Sequence, residues 1–471
     1  MSIGRFSHHL KFLYLTLTLA MILALALTLA LTPEIQAQSS KKDPAVKVKS
    51  DVSNKKSAKS KKSTAKSAKP KDPPLPWPQN VQALAGDGAV LVLDNHATPG
   101  AARELYAYNI DRSYVPASIL KVITMGAALE FFGPGYRFKT DFLLTRDKDL
   151  WVVGYGDPYL ISEELVLIVE ALQKRGLREV RNIYIDDSYF EKDLILDGNT
   201  QTLSPYDAYN LAFGVNFNTI NFQKNKKGAV SRAAANAPLT PLALEKAAKT
   251  KGAGIFRLNI HESPGLAEIH AGQTLKAHLE DGGITVTGEI FAGQTAPRER
   301  KIFYRHESSK TLELVVKDLM KHSNNFMTNQ IFLALGAESF GAPASLEKSQ
   351  KAMDIYFSRH GLPRVIMGDG SGLSRQTTVT AAQMAGILQI LEPDRYLFPV
   401  CDHGLALCKT GTMSDIKTLV GYLERPDAPD QPLAFVILLN GANYPPHARF
   451  KILDMIKEQF NPAAPTPSAG R

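Results

Sequence analysis

Apolar and polar positions divide this chain into stretches of different period. Residues 12–32 are apolar without a charge, behind Arg5 and Lys11. With the small residue Ala37 behind it, this pattern predicts a secretory signal over residues 1–37, long enough to serve also as an uncleaved membrane anchor. Residues 38–78 show no apolar period and predict a disordered tether. The folded region begins near Gln79. Residues 88–94 and 104–109 read as strands around a turn at Pro99-Gly100. A helical run follows from Ser118 to about Phe132, stopped by Gly133-Pro134-Gly135. Between 140 and 300, strand patterns at 149–154, 180–186, 212–222, 254–260 and 284–290 surround a helix at 163–174. From residue 310 the period turns helical, at 311–321, 325–335, 345–360 and 380–391. The last of these opens on a capping box, Thr380 with Gln383. Strands at 404–408, 418–424 and 433–439 and a terminal helix at 446–460 close the folded region, and residues 463–471 form a flexible tail.

Charge changes the picture in one place. Residues 1–72 hold 14 Lys/Arg against four Asp/Glu, a balance of +10, whereas the whole chain carries +9. The basic character therefore belongs to the N-terminal segment. Such a run would be drawn to an anionic membrane or wall polymer, or would serve as a solvated spacer. Nucleic acid is not expected as a partner, because an exported chain would not meet it and no aromatic residues interleave the lysines.

Candidate chemistry gathers at three short stretches. Ser118 and Lys121 open the helical run one turn apart, behind Pro116, so both face the same side. A serine hydroxyl needs a base beside it to act as a nucleophile, and an amine in apolar surroundings can lose its proton. The same spacing recurs at Ser53/Lys56, Ser63/Lys66 and Ser345/Lys348, but only Ser118 opens an apolar helix. Ser323-Asn324-Asn325 and Lys409-Thr410-Gly411-Thr412 then follow in order. Together the three form the S-x-x-K, S-x-N and K-T-G set of serine β-lactamases and penicillin-binding proteins.

On these residues, with Gly156-Asp157-Pro158 and residues 369–375 (Asp-Gly-Ser-Gly-Leu-Ser-Arg), the chain resembles the low-molecular-mass class C penicillin-binding proteins, D-alanyl-D-alanine carboxypeptidases/endopeptidases. The resemblance covers roughly residues 80–460. It implies an α/β (α+β) fold, a transpeptidase-like domain at 79–139 and 301–462 whose antiparallel sheet is flanked by helices. A β-rich domain at 140–300 would be inserted in it. It implies Ser118 as nucleophile, Lys121 as base, Ser323 as proton relay and Asn325 on the substrate amide. Lys409 would supply positive field, Thr410 and Gly411 would bind substrate, and the N–H groups of Ser118 and Thr412 would form the oxyanion hole. Asp157 and Arg375 resemble contacts to the substrate side chain, with a turn cap and a surface ion pair as the alternatives, while Asp369 and Ser371 would shape their loop. Peptidoglycan peptides would be substrates and β-lactams covalent inhibitors, without cofactor or metal. The segment between Arg375 and Lys409 lacks the Gly-rich, arginine-bearing stretch usual in the family. That departure keeps two alternatives open, a wall-binding scaffold and a β-lactamase, although the 205 positions between Ser118 and Ser323 exceed those of a compact β-lactamase. Cys401 and Cys408, the only cysteines, are allowed a disulfide in an exported chain, the alternative being two thiols.

Overall fold

The computed structural model describes residues 77–98, 101–297, 301–401 and 406–460. The expected signal or anchor, almost all of the tether, residues 402–405 and the C-terminal tail lie outside the described residues. Among those described, no helix is long and apolar enough to cross a membrane.

In chain order, α1 (Gln79–Ala85) leads into the hairpin β1 (Ala89–Thr98) and β2 (Ala101–Tyr108). A 3-10 turn at Ala117–Ile119 opens α2 (Leu120–Phe132). There follow β3 (Lys139–Leu144), β4 (Leu150–Gly154), α3 (Ser162–Lys174), β5 (Glu179–Val180) and β6 (Ile183–Asp186). Next come β7 (Thr219–Lys224), β8 (Val230–Ser231), α4 (Pro241–Lys249), β9 (Gly254–Asn259) and α5 (Pro264–Asp281). β10 (Thr285–Val286), β11 (Ile290–Phe291) and β12 (Tyr304–Glu307) precede α6 (Leu312–His322), α7 (Asn325–Phe340), α8 (Leu346–Arg359) and α9 (Ala381–Ile390). The described chain ends with β13 (Ala406–Met413), β14 (Ile416–Leu423), β15 (Leu433–Asn440) and α10 (Ala448–Phe460).

One antiparallel sheet runs in the order β13-β14-β15-β1-β2. Its central strands are apolar at nearly every position because both faces are covered. Successive side chains point to opposite faces. Val436 and Leu438 pack toward α2, α6, α7 and α9, while Phe435 and Ile437 pack toward α1 and α10. α2 sits in the middle of this arrangement, and all ten residues from Leu120 to Leu129 are buried. An all-round apolar helix is what such a position selects.

The region from β3 to β12 holds a second sheet, β11-β6-β4-β3-β12, with parallel pairs at β11/β6/β4 and antiparallel pairs at β4/β3/β12. β12 lies beyond the expected boundary at 300, because Arg305 places its guanidinium on Asp141 of β3 with two bonds of 2.7 Å. A smaller sheet, β8-β7-β9, packs on α4 around Ile220, Phe222 and Ala247.

Four expected elements are redrawn. The stretch 180–186 divides into β5 and β6, which belong to different sheets. The stretch 212–222 is not one strand: Asn216, Phe217 and Asn218 all have φ between 53° and 56°, a left-handed turn, and the strand starts at Thr219. The stretch 284–290 breaks into two two-residue strands. The strand expected at 404–408 runs through Met413, so the K-T-G-T residues lie within a strand.

Candidate active site

The site is built where β13 passes over the turn that carries Ser118. Gly411 permits this approach. A Cβ there would fall 2.1 Å from Thr418 Oγ1, 2.6 Å from the Pro116 carbonyl and 3.1 Å from Ser118 N. Thr418 Oγ1 also donates to the Pro116 carbonyl at 2.7 Å, tying the sheet to the turn. From the other side, Gly372 adopts φ +84°, where a Cβ would sit 1.9 Å from the Ala117 carbonyl. Ala117 itself takes φ 49°, a region costly for a residue with a Cβ, directly before the serine.

Lys121 is fully buried. Its Nζ donates to Ser118 Oγ at 3.0 Å, to Asn325 Oδ1 at 2.7 Å and to the Ser371 carbonyl at 2.7 Å. None of these partners is a carboxylate. Burial pushes the ammonium well below its ordinary pKa and the charge of Lys409 pushes the same way, while Asp369 opposes them. The loop that supplies the Ser371 carbonyl is fastened by Asp369, whose carboxylate accepts the N–H groups of Ser371, Gly372, Leu373 and Ser374. Thr124 of α2 donates to the Gly370 carbonyl at 2.7 Å, and Asn329 of α7 accepts the Gly370 N–H at 2.9 Å.

Ser323 ends α6 in a left-handed conformation, and Asn324 caps α7 by accepting the Met327 N–H at 3.1 Å. This junction turns Ser323 and Asn325 toward the same opening. Lys409 Nζ donates to Ser323 Oγ at 2.8 Å and to the Thr410 carbonyl at 2.8 Å. Burial lowers the Lys409 pKa to about 7, aided by Arg449. Arg449 reaches across from α10 and donates to the Gly411 carbonyl at 2.7 Å and to Thr412 Oγ1 at 2.8 Å.

Ser118, Ser323, Asn325, Thr410 and Thr412 thus line one cleft of about 290 Å³. Lys121 and Lys409 are buried beside these residues, bonded to Ser118, Asn325 and Ser323, and Gly411 is buried between Thr410 and Thr412. Tyr206, 66% exposed on a 3-10 turn of the β3–β12 region, adds a wall to the same cleft. The sequence reading did not single out Tyr206 or Arg449. Ser204-Pro205 signals a turn, but nothing local says that the turn faces Ser323. Ser345, by contrast, caps α8 by accepting the Lys348 N–H at 3.2 Å, which accounts for its S-x-x-K spacing.

Two expected substrate contacts are absent from the cleft lining. Asp157 is 1% exposed and accepts the Tyr159 N–H at 2.8 Å. Burial pushes its carboxyl up to about 6. Arg375 is exposed and clasps Asp415 at 2.7 and 3.1 Å. The turn cap and the surface ion pair are therefore the geometries observed. Cys401 and Cys408 are joined as a disulfide with Cα atoms 5.7 Å apart. They pack in the cluster toward α1 and α10, so Cys408 turns to the opposite face of β13 from Lys409.

Residues 80–255 and 265–403 match the D-Ala-D-Ala carboxypeptidase 3 (S13) family. Ser118, Lys121, Ser323 and Asn325 lie within these limits, and Lys409 lies just beyond them. The D-alanyl-D-alanine carboxypeptidase of Actinomadura sp. (strain R39) is 26% identical over 437 residues, covering 77% of this chain and 79% of that one. D-alanyl-D-alanine carboxypeptidase DacB of Haemophilus influenzae is 24% identical over 396 residues, 71% of this chain and 82% of that one. The crystal structure of penicillin binding protein 4 from Haemophilus influenzae shares the fold, with a TM-score of 0.67 at 18% identity over 82% of this chain and 100% of that one. The family match spans well over half of the sequence, and the chain belongs to the D-Ala-D-Ala carboxypeptidase 3 (S13) family, the serine D,D-peptidases of the penicillin-binding class that its three motifs resemble.

Proposed function

We propose that this serine-type D-Ala-D-Ala carboxypeptidase/endopeptidase cleaves peptidoglycan stem peptides or cross-links through an acyl-enzyme on Ser118. The observation that carries this reading is Lys121 Nζ, buried without a carboxylate partner 3.0 Å from Ser118 Oγ. A neutral amine there accepts the serine proton as Oγ attacks the carbonyl between the two D-alanines. The oxyanion is met by the N–H groups of Ser118 and Thr412, a role supported by the close passage of β13 at Gly411. One such donor is typically worth about 3–4 kcal/mol in the transition state. Asn325 holds the substrate amide. As the C–N bond breaks, Ser323 passes a proton to the leaving amine, with Lys409 behind it and Thr410 and Thr412 at the rim for the carboxylate. Water then attacks the acyl carbon, the ester C–O bond breaks, and Ser118 regains its proton.

β-Lactams would acylate the same serine. The scaffold alternative gives no reason for burying two lysines against two serines, and no observation favours the β-lactamase. The same reading keeps the catalytic residues on the antiparallel sheet and its helices, and assigns the inserted region a wall of the cleft. It places the enzyme outside the cytoplasm, exported or anchored by residues 1–37, with the lysine-rich segment holding it near anionic lipid or wall polymer.

Labelling with a fluorescent penicillin tests the nucleophile. Wild type should label and Ser118→Ala should not; a folded wild type that takes no label would sink the reading.

A further inference from the structure

Behind Ser323 lies a second hollow, of about 380 Å³, lined by Tyr206, Arg257, His322, Ser323 and Asn324 among others. It shares Tyr206, Ser323 and Asn325 with the catalytic cleft, so the two spaces meet along these residues. Arg257 of β9 is the guanidinium in it. Its Nε donates to Thr219 Oγ1 at 3.1 Å, and its plane lies over the Phe217 ring, 5.3 Å from the centroid. Among the described residues, no carboxylate forms an ion pair with it. The remaining N–H groups are left to an anion, and a guanidinium fork is suited to a carboxylate.

The support under this hollow is rigid. Asp207 accepts the hydroxyls of Thr200 and Thr202 and the backbone N–H groups of the same two residues. Asn259, two residues from Arg257 on β9, donates to the carbonyls of Thr202 and Asp207 at 2.9 Å each. The Tyr206 turn and the Arg257 strand are therefore tied into one platform. A pre-organised platform suits recognition, because little freedom is lost when the ligand arrives.

We propose that Arg257 and Tyr206 form a subsite for a carboxylate carried by the leaving strand of a cross-linked peptide. The proposal rests on the assignment of Ser118 and Ser323 above. Ser323 protonates the departing amine and lines both spaces, so whatever is attached to that amine extends past Ser323 into the hollow. A departing D-alanine ends at the rim threonines. A departing diaminodicarboxylic acid, released from a cross-link, carries one carboxylate beside the amine, equivalent to that of D-alanine, and a second at the far end of its longer chain, past the rim. The subsite thus selects cross-link cleavage over removal of a terminal D-alanine.

The test compares the full chain with its Arg257→Gln and Arg257→Lys variants on three peptides. These are a pentapeptide ending in D-Ala-D-Ala, a dimer joined from D-Ala to the side-chain amine of a diaminodicarboxylic acid whose far carboxylate is free, and that dimer with only this far carboxylate, remote from the scissile amide, amidated. Wild type should prefer the dimer to the amidated dimer by about tenfold or more, the scale of one charge-assisted hydrogen bond. Arg257→Gln should erase that preference through KM, lowering the dimer-to-pentapeptide ratio of kcat/KM by about ten- to a hundredfold, and Arg257→Lys should restore part of it. An unchanged ratio, an equal fall on all three peptides, or a wild type that releases D-alanine but leaves the dimer intact would each overturn the subsite. Failure of the underlying reading looks different: no D-alanine release and no penicillin label on Ser118.

Discussion

The two walls of the cleft treat positive charge in opposite ways. The wall made by α2, the α6–α7 junction and β13 buries its cations, leaving Lys121 0% and Lys409 2% exposed. The wall contributed by the β3–β12 region exposes its cation, Arg257, on a strand edge over an aromatic ring. Desolvation disfavours the ammonium, so both buried lysines fall below the ordinary lysine value, Lys409 to about 7, and can exchange protons. A guanidinium stays charged in either setting, and one without a carboxylate partner is left to hold an anion. Burial and residue class together separate proton chemistry from anion binding across one cleft: the buried groups that can lose a proton are amines, and the group left to an anion is a guanidinium.

Replacing the buried amine is the largest way to break this contrast. Lys121→Arg keeps a cation but removes the base, and acylation by penicillin should slow by about 10²–10⁴-fold. Stopped-flow acylation within about threefold of wild type would remove Lys121 from that role.

The pH profile sharpens the same contrast. Acylation should rise with pH as Lys121 loses its proton, since its pKa lies well below the ordinary lysine value. Hydrolysis of a carboxylate-ending peptide should fall again above pH about 7, as Lys409 loses its charge. Arg449→Gln removes a neighbouring guanidinium, so the alkaline limb should move to higher pH; a limb that stays in place excludes Lys409 as its source.

Asp157 gives a smaller effect, read in stability. Its folded pKa is raised to about 6 from 3.8, so the folded state binds the proton more tightly. That contribution is complete below about pH 4 and is lost as pH rises through about 6. Asp157→Asn should therefore be the more stable protein at pH 7.5, by up to about 3 kcal/mol, and should lose that advantage at pH 4. Urea unfolding at the two pH values checks this, and a pH-independent difference would refute it.

The smallest effect belongs to the exposed pair. Arg375→Ala should cost at most about 1 kcal/mol of stability, and pentapeptide hydrolysis should stay within about threefold of wild type. A tenfold loss in kcat/KM would return Arg375 to the substrate.

Much of the chemistry was legible in the sequence. Ser118 with Lys121, Ser323 with Asn325 and Lys409 with Gly411 are short-range patterns, and short-range patterns are what local periodicity and motif spacing report. The apolar run after Ser118 and the apolar strands of the sheet could be read because burial on every side leaves no polar position. The 18-residue helix α5 escaped for the converse reason: its buried stripe is Ala267, His270, Ala271, Thr274, Leu275, His278 and Leu279, in which strongly apolar residues are scarce. The left-handed turn at residues 216–218 escaped because Phe217 resembles a strand residue while its flanking asparagines accept positive φ. Tertiary structure alone joined Lys409 to Ser323 across 86 positions and Lys121 to Asn325 across 204. It also brought Tyr206 and Arg257 beside Ser323 and closed Asp157 away from solvent. The sequence supplies residues capable of each role, but charge state and reach depend on desolvation and on neighbours distant in the chain, and those arise only when the sheets and helices pack.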